Sequence, residues 1–452
     1  MEEMQRLLLR VLFLLLLLSV LQPAKAPGQS LQNLPQIADP AASPTAGPQS
    51  SSARAAYYSL PPDKLARAVA FSRKRTMLGF AQTAWGTLTL VLLLSFGVVA
   101  RLRDWTVGAT RRRWLQGFLF IPLLLLAVDA LSLPLDLYGQ HLELGYGQSV
   151  QSWAGWWQDW AKGEFLGMVV ASLLALLLLW LIRKSPRRWW TWAWLASLPI
   201  MVLLVFIAPV AIEPLFNTFE PLSKSDPALV ARLEQVVHRG GIAIPPDRMF
   251  LMKASEKVTG VNAYVTGFGA SKRVVVWDTT IARATPDEIS FIFAHEMGHY
   301  VLGHIVRGLL FAAALSLVLL WMGYHSVRWL IGRFGARWRI AAVEDWGSLA
   351  VLALAFSVFG FLGEPIANGF SRAQEHAADV YGQEAIHGIV AHPSQTAQES
   401  FQLLGESYLE DPNPRPFVEI WTYNHPSVAS RAAFAANYHP WARGQQPRYF
   451  KK

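Results

Sequence analysis

Long apolar runs dominate the pattern of hydrophobic and polar positions. Six of them, at 77–100, 114–138, 164–182, 189–212, 306–332 and 346–368, are each long enough to cover a bilayer core, which takes about 20 residues of helix. They predict six membrane-spanning helices. Asp129 and Asp136 interrupt the second run, a placement that fits a helix end or a water-filled space. Trp189, Trp190, Trp192 and Trp194 open the fourth, as residues of an interfacial aromatic belt do. A shorter apolar run at 7–21 follows Arg6 and Arg10 and reads either as a signal peptide or as a first membrane helix. Pro27 directly after Ala24-Lys25-Ala26 opposes cleavage at that small-x-small site.

Between these runs the pattern changes. Residues 1–22 hold the first apolar segment, and 23–62 are rich in Pro, Ser, Ala and Gln, the composition of a flexible linker. Residues 63–212 carry the first four spans. Residues 213–305 and 369–452 mix polar and apolar positions as a water-facing domain does, and the two spans of 306–368 form a hairpin between them. A hairpin returns the chain to the side it left, so the two polar regions can combine. The segment 139–163 shares that side. Within it Trp153, Trp156, Trp157 and Trp160 recur at i, i+3, i+4 and i+7, which predicts a helix lying on the bilayer surface, with greeting of a substrate as a further role.

Composition agrees with a membrane protein. Charged residues are 16% and hydrophobic residues 53%, where a soluble domain carries about a quarter charged. The net charge of +9 comes largely from Lys and Arg beside the apolar runs, so it argues for membrane flanks and against nucleic acid. Cysteine is absent, which excludes disulfides, thiol nucleophiles and thiolate metal sites.

The polar regions hold the candidate chemistry. In Thr285-Pro286-Asp287-Glu288 the Thr is a good N-cap, the Glu completes a capping box, and Pro286 stands where its missing N–H is harmless. A helix therefore starts here on local grounds. His295-Glu296-Met297-Gly298-His299 follows on it. Histidines four apart project from one helix face and can share one tetrahedral Zn²⁺. Glu296 then lies beside a metal-bound water as a general base. His304 follows His299 by five residues. The metzincin pattern needs a histidine six residues on, so His304 is not read as a ligand.

The third ligand must come from elsewhere. Ser371 to Asp379 has helical spacing, with Glu375 and Asp379 four apart on one face. A carboxylate there completes a two-His-one-Glu set with the fourth position left to water. Asp379 can accept the second N–H of a ligating histidine.

Together the motifs HEMGHYVLGH and SRAQEHAAD resemble those of the type I CAAX prenyl endopeptidases, integral-membrane zinc proteases related to HtpX, with likeness from about Leu60 to Ala433. The resemblance implies His295, His299 and Glu375 as ligands of one zinc ion per chain, Glu296 as catalytic base, and Asp379 with Arg372 as supports of the ligand set. Asn262, Ala263 and Tyr264 lie in a segment similar to the family's substrate-binding edge strand, which here has strand character and can pair with 272–278 through a turn at Gly269-Ala270. His425, in Asn424-His425-Pro426, resembles the family's oxyanion-stabilising histidine, and Arg431 its arginine for a substrate carboxylate. The implied fold is mainly α: a ring of membrane helices around a chamber, closed at one end by a zincin-like α+β catalytic domain.

The implied function is hydrolysis of peptide bonds in membrane-associated peptides or proteins, prenylated CAAX-type chains among them. Loop lengths and the signal-like start point to a bacterial inner membrane, where membrane or exported proteins are the natural class. Membrane lipid is the other expected partner, and the sequence leaves the oligomeric state open. The rivals are a non-catalytic zinc scaffold or holdase, which would not need Glu296, and a transporter, for which no inverted repeat is visible. Loop 101–113 holds Arg101, Arg103, Arg111, Arg112 and Arg113, and loop 183–188 holds Arg183, Lys184, Arg187 and Arg188. The positive-inside rule makes these loops cytoplasmic and the zinc domain periplasmic. The eukaryotic relatives, whose domain faces the cytosol, and the basic stretch 63–76 oppose that orientation.

Overall fold

A computed structural model describes residues 57–267 and 272–451. The apolar run at 7–21, the linker before residue 57 and the turn at Gly269-Ala270 lie outside the described residues. Among the described residues, six helices are long and apolar enough to cross a membrane, in the order the apolar runs predict. In chain order the membrane half comprises α1 (Pro62–Ser95), a shorter α2 (Val98–Ala109), α3 (Arg113–Gly145), α4 (Trp153–Lys184) and α5 (Trp189–Ile207). A π turn at Ala208–Ile212 and a last helical turn at Glu213–Phe216 extend α5 out of the bundle. The bundle core is built from Leu, Ile, Val and Phe of α1, α3 and α4 against the later helices, with Trp189 and Trp346 buried among them.

The polar half begins with β1 (Phe219–Pro221), then α6 (Pro227–Arg239), β2 (Met249–Met252), β3 (Ala263–Thr266), β4 (Arg273–Trp277) and a short α7 (Asp278–Arg283). Then come α8 (Pro286–Val301), the span α9 (His304–Trp338), the 39-residue α10 (Ser348–Ile386), α11 (Pro393–Ser407), α12 (Pro416–Thr422) and α13 (Val428–Asn437). The sheet order is β1-β2-β4-β3; β2 and β4 run parallel and the outer pairs antiparallel. Alternation sorts its two faces: Val274 and Val276 pack with Ile289, Phe293 and Met297 of α8, while Val275 joins Met252 and Tyr264 on the other side.

The separate interfacial helix expected in 139–163 is not formed. Residues up to Gly145 finish α3, and the four tryptophans lie in the first turns of α4, a single helix of 32 residues. Ser152 caps it through Gly155 N–H. Its polar start is held by the catalytic half rather than by a bilayer surface. Asp159 accepts from Lys257 and, at 2.7 Å, from Gln151, and Ser149 bridges Val258. The tryptophan rings contact one another edge to face along this turn.

A second continuity matters more. The span predicted at 346–368 does not stop at the membrane. With Pro365 inside it, α10 runs on through Glu375 and Asp379 to Ile386. One rigid element thus joins the bundle to the catalytic half.

Candidate active site

Local sequence positions the first two donors. Thr285 accepts from Glu288 N–H at 3.3 Å while the Glu288 carboxylate accepts from Thr285 N–H at 2.7 Å, so the capping box is closed and Pro286 is at N1. The helix is buried from Glu288 to Gly298, which brings His295 and Glu296 out of water. Helix α10 lies directly against α8. A Cβ on Gly382 would stand 2.9 Å from the His295 backbone nitrogen, and one on Gly298 would stand 3.0 Å from the Tyr381 ring. Only glycine permits that approach, and the approach sets Glu375 between the two histidines.

The metal-facing atoms converge. His295 Nε2 and His299 Nε2 are 3.2 Å apart; Glu375 Oε2 is 3.2 Å from the first and Oε1 is 3.4 Å from the second. Bonds of about 2.0–2.1 Å to a tetrahedral zinc give ligand–ligand edges of about 3.3–3.4 Å. The two histidine–carboxylate separations end on different Glu375 oxygens, and all three separations are close to that length. Among the described residues, His295, His299 and Glu375 form the group of His and carboxylate donors that meet in this way.

Burial and charge act on the two histidines and on Glu296. Burial pushes His299 down to about 3, which keeps the ring neutral. Burial would also lower His295, but its hydrogen bonds to Asp379 and Glu375 outweigh that and hold it up at about 9. Burial pushes Glu296 up to about 7, within the range of a working base near neutral pH. A cation on the three donors would draw that value down again.

The remaining expected residues fall into three places. Asp379 Oδ1 is 2.9 Å from His295 Nδ1, where it can accept the ring's second proton. Arg431 grips the same carboxylate with two bonds, Nε to Oδ2 at 3.0 Å and Nη2 to Oδ1 at 2.6 Å. It is buried, so its guanidinium supports the ligand set instead of standing open to a substrate carboxylate. Arg372 donates to the Tyr423 carbonyl at 2.7 Å and so steadies the loop bearing His425, rather than the metal donors. His425 Nε2 lies 3.3 Å from Glu375 Oε1, with Nδ1 2.7 Å from Asn424 Oδ1, which places it on the rim of the donor triangle.

The edge strand is β3, beside α8. Its register pairs Tyr264 with Val275 and Ala263 with Val276, and Trp277 N–H donates to the Asn262 carbonyl. In that register the backbone groups of Asn262 and Tyr264 point inward to β4, and those of Ala263 and Val265 point to the open edge. The Tyr264 side chain is turned away from the site, donating to Glu213 at 3.0 Å, and Glu213 also pairs with Arg273. Of the three expected substrate contacts, Ala263 alone has its backbone groups on the side of β3 away from β4, and it is fully buried. Asn262 offers only its half-buried side chain, since its N–H and C=O are taken by Thr280.

Sequence reasoning set His304 aside. It is buried, and its Nδ1 lies 3.0 Å from His299 Nδ1, behind the ring. The signal that could have found it is Gly303, at φ +70°, which ends the helix and folds His304 back.

Comparisons with known proteins agree with this geometry. Residues 52–218 match the family described as CAAX prenyl protease N-terminal, five membrane helices, and residues 223–439 match peptidase family M48. The chain is 34% identical over 378 residues to the metalloprotease YhfN of Bacillus subtilis, covering 83% of this chain and 86% of that protein. It is 26% identical over 335 residues to CAAX prenyl protease 1 of Saccharomyces cerevisiae, covering 70% of this chain and 71% of the yeast protein. The crystal structure of Ste24p from S. mikatae superposes with a TM-score of 0.69 at 22% identity, covering 86% of this chain and 95% of the other, and so shows the same helical membrane fold. With its six candidate spans and its His-His-Glu donor group, the chain belongs to peptidase family M48 as a membrane metalloendopeptidase of the CAAX prenyl protease kind.

Proposed function

We propose that the protein is a zinc enzyme that cleaves lipidated or otherwise membrane-bound peptide chains at the bilayer surface. The observation that carries this reading is the convergence of His295 Nε2, His299 Nε2 and the two oxygens of the Glu375 carboxylate at separations of 3.2, 3.2 and 3.4 Å, with Glu296 on the same helix as the histidines. When bound there, zinc would polarise the scissile carbonyl and acidify the attacking water. Glu296 takes the water's proton and passes it to the leaving amine. Asp379, held by Arg431, fixes the tautomer and rotation of His295. His425 reaches the same space from the opposite loop; its Nδ1–H donates to Asn424 Oδ1, so the protonated ring is the form that carries an Nε2–H for the developing oxyanion. Half-buried Val265 offers its N–H and C=O on the outer edge of β3 to an extended substrate, which adds to β3 as an antiparallel strand; buried Ala263 joins only once its cover moves aside.

The yeast relative's name refers to prenylated CAAX chains, and this chain's donor group sits on α10, itself a candidate membrane span, and on α8, which the span α9 follows. A lipid-bearing peptide suits both. Detergent-purified protein should cleave a farnesylated fluorogenic peptide and lose the activity to a chelator, with added zinc restoring it. Equal cleavage of farnesylated and bare peptides would remove the lipid from the proposal, and activity indifferent to chelation would remove the metal.

Orientation follows from charge. At the end of the bundle remote from the zinc site, Arg111, Arg112, Arg187, Arg188, Arg333 and Arg337 are all exposed. The basic residues on the catalytic side are largely partnered: Lys64 with Glu406, Arg75 with Glu143, and Arg67 and Lys74 over the Tyr146 ring. The positive-inside rule counts Lys and Arg whether or not they are paired, so the stretch 63–76 still opposes it; the nine basic residues of loops 101–113 and 183–188 outweigh its five, and we assign the catalytic half to the periplasm of a bacterial inner membrane. The chain has no native cysteine, which makes the test clean. A membrane-impermeant maleimide on intact spheroplasts should label Lys224→Cys and spare Arg187→Cys. The reverse pattern would place the site in the cytosol.

A further inference from the structure

The ligand set has a second support that differs in chemistry from the first. His295 is backed by a carboxylate, Asp379 Oδ1 at 2.9 Å, and His299 by a neutral ring, His304 Nδ1 at 3.0 Å. The His299 atom facing the donor triangle is Nε2. If Nε2 holds a metal, the remaining proton of the ring is on Nδ1. Two Nδ1 atoms 3.0 Å apart have room for one proton between them. His299 must therefore donate and His304 accept, which fixes His304 as the Nε2–H tautomer. Geometry holds the acceptor in place. Gly303, at φ +70°, closes α8 and makes His304 the first residue of α9, where it is 4% exposed and meets the His299 ring edge to face at 5.0 Å. His304 cannot itself join the triangle, because it stands on the far side of the His299 ring.

We propose that His304 is a positioning residue that fixes the tautomer and rotation of the metal ligand His299 from the first turn of a membrane-spanning helix. The proposal rests on the metal site described above. Loss of such a partner costs about 10–100-fold in metal affinity. The hydrogen bond to His299 needs an acceptor at the δ1 position. Asparagine carries one there; glutamine carries its acceptor one carbon farther out, and leucine carries none.

Zinc-loaded wild type, His304→Asn, His304→Gln and His304→Leu are mixed with excess chromophoric chelator and zinc release is timed. Release from the Gln and Leu variants should be faster by about tenfold or more, with Asn within a few-fold of wild type. The d–d spectrum of the cobalt-substituted proteins should shift in Gln and Leu and be kept in Asn. Metal-free melting curves report folding separately, and the polar Gln variant keeps the test open if Leu does not fold. Gln release as slow as wild type, or Asn release as fast as Gln, overturns the proposal. A wild type that holds no zinc fails at the metal site itself, a result distinct from either.

Discussion

Glu296→Gln should lose about 10²–10⁴-fold in kcat/KM and keep its metal. The side chain lies beside His295 in sequence but is not one of the three converging donors. Removing its charge removes a proton acceptor and leaves the triangle alone. Glutamine has nearly the same shape, and burial already disfavours the carboxylate, so the variant should fold at least as well. The pH dependence has a definite sign. In chelated protein the Glu296 carboxyl holds its proton up to about 7, against an ordinary value of 4.5. The folded state then binds more protons than the unfolded state between these values. The wild type loses stability relative to the variant as pH rises through that window, and at pH 4 the two should agree. Metal analysis, peptide cleavage and melting of the same preparations decide the matter. Full activity in the variant would contradict the base, and loss of zinc would make Glu296 a ligand. The result also separates an enzyme from a zinc scaffold, whose function would survive the change.

The parts of this molecule that were legible in the sequence are those written in local signals. The six spans are continuous apolar runs. The start of α8 is written in Thr285, Pro286 and Glu288, and its two histidines follow at helical spacing. Glu375 was legible because a carboxylate four residues before another carboxylate on an unbroken helix is the chemistry that two histidines lack. What stayed hidden depends on contacts far apart in the chain. Arg431 meets Asp379 across 52 positions, and nothing local in the sequence pairs the two side chains. Tyr264 stands among the expected substrate contacts on the resemblance of its segment to the family's edge strand, and a strand pattern gives no side chain its partner. Glu213, at the end of a π turn, claims its hydroxyl. The tryptophans at 153–160 read as a separate interfacial helix. They open α4 instead, where Lys257 of the catalytic half receives Asp159 and the Leu215 carbonyl, just past α5, receives Lys162. His304 needed the backbone reversal at Gly303, which a fixed ligand spacing does not describe.

Glu375→Ala should behave in the opposite way to Glu296→Gln: metal occupancy falls from about one per chain to a small fraction, and activity goes with it. Zinc sites in enzymes use three protein ligands and an open position. Two histidines alone leave half the coordination to water. Glu375 is also the one donor in the triangle that brings negative charge to the cation. Alanine is compatible with the middle of α10, so the helix and its close packing on α8 through Gly382 should persist. The variant in zinc should therefore melt like chelated wild type, since both are the same fold without the ion. Asp379→Asn gives the intermediate case. It weakens the orientation of His295 and the grip of Arg431 without removing a ligand, so occupancy should drop by about 10–100-fold in affinity and recover at high zinc. Glu375→Ala should not recover at that concentration. The order Glu375→Ala, Asp379→Asn, Glu296→Gln in zinc loss, with all three impaired in cleavage, is the signature of one ligand, one support and one base. Tight stoichiometric zinc in Glu375→Ala would move the third ligand elsewhere, and His425, 3.3 Å from that carboxylate, would be the first residue to test.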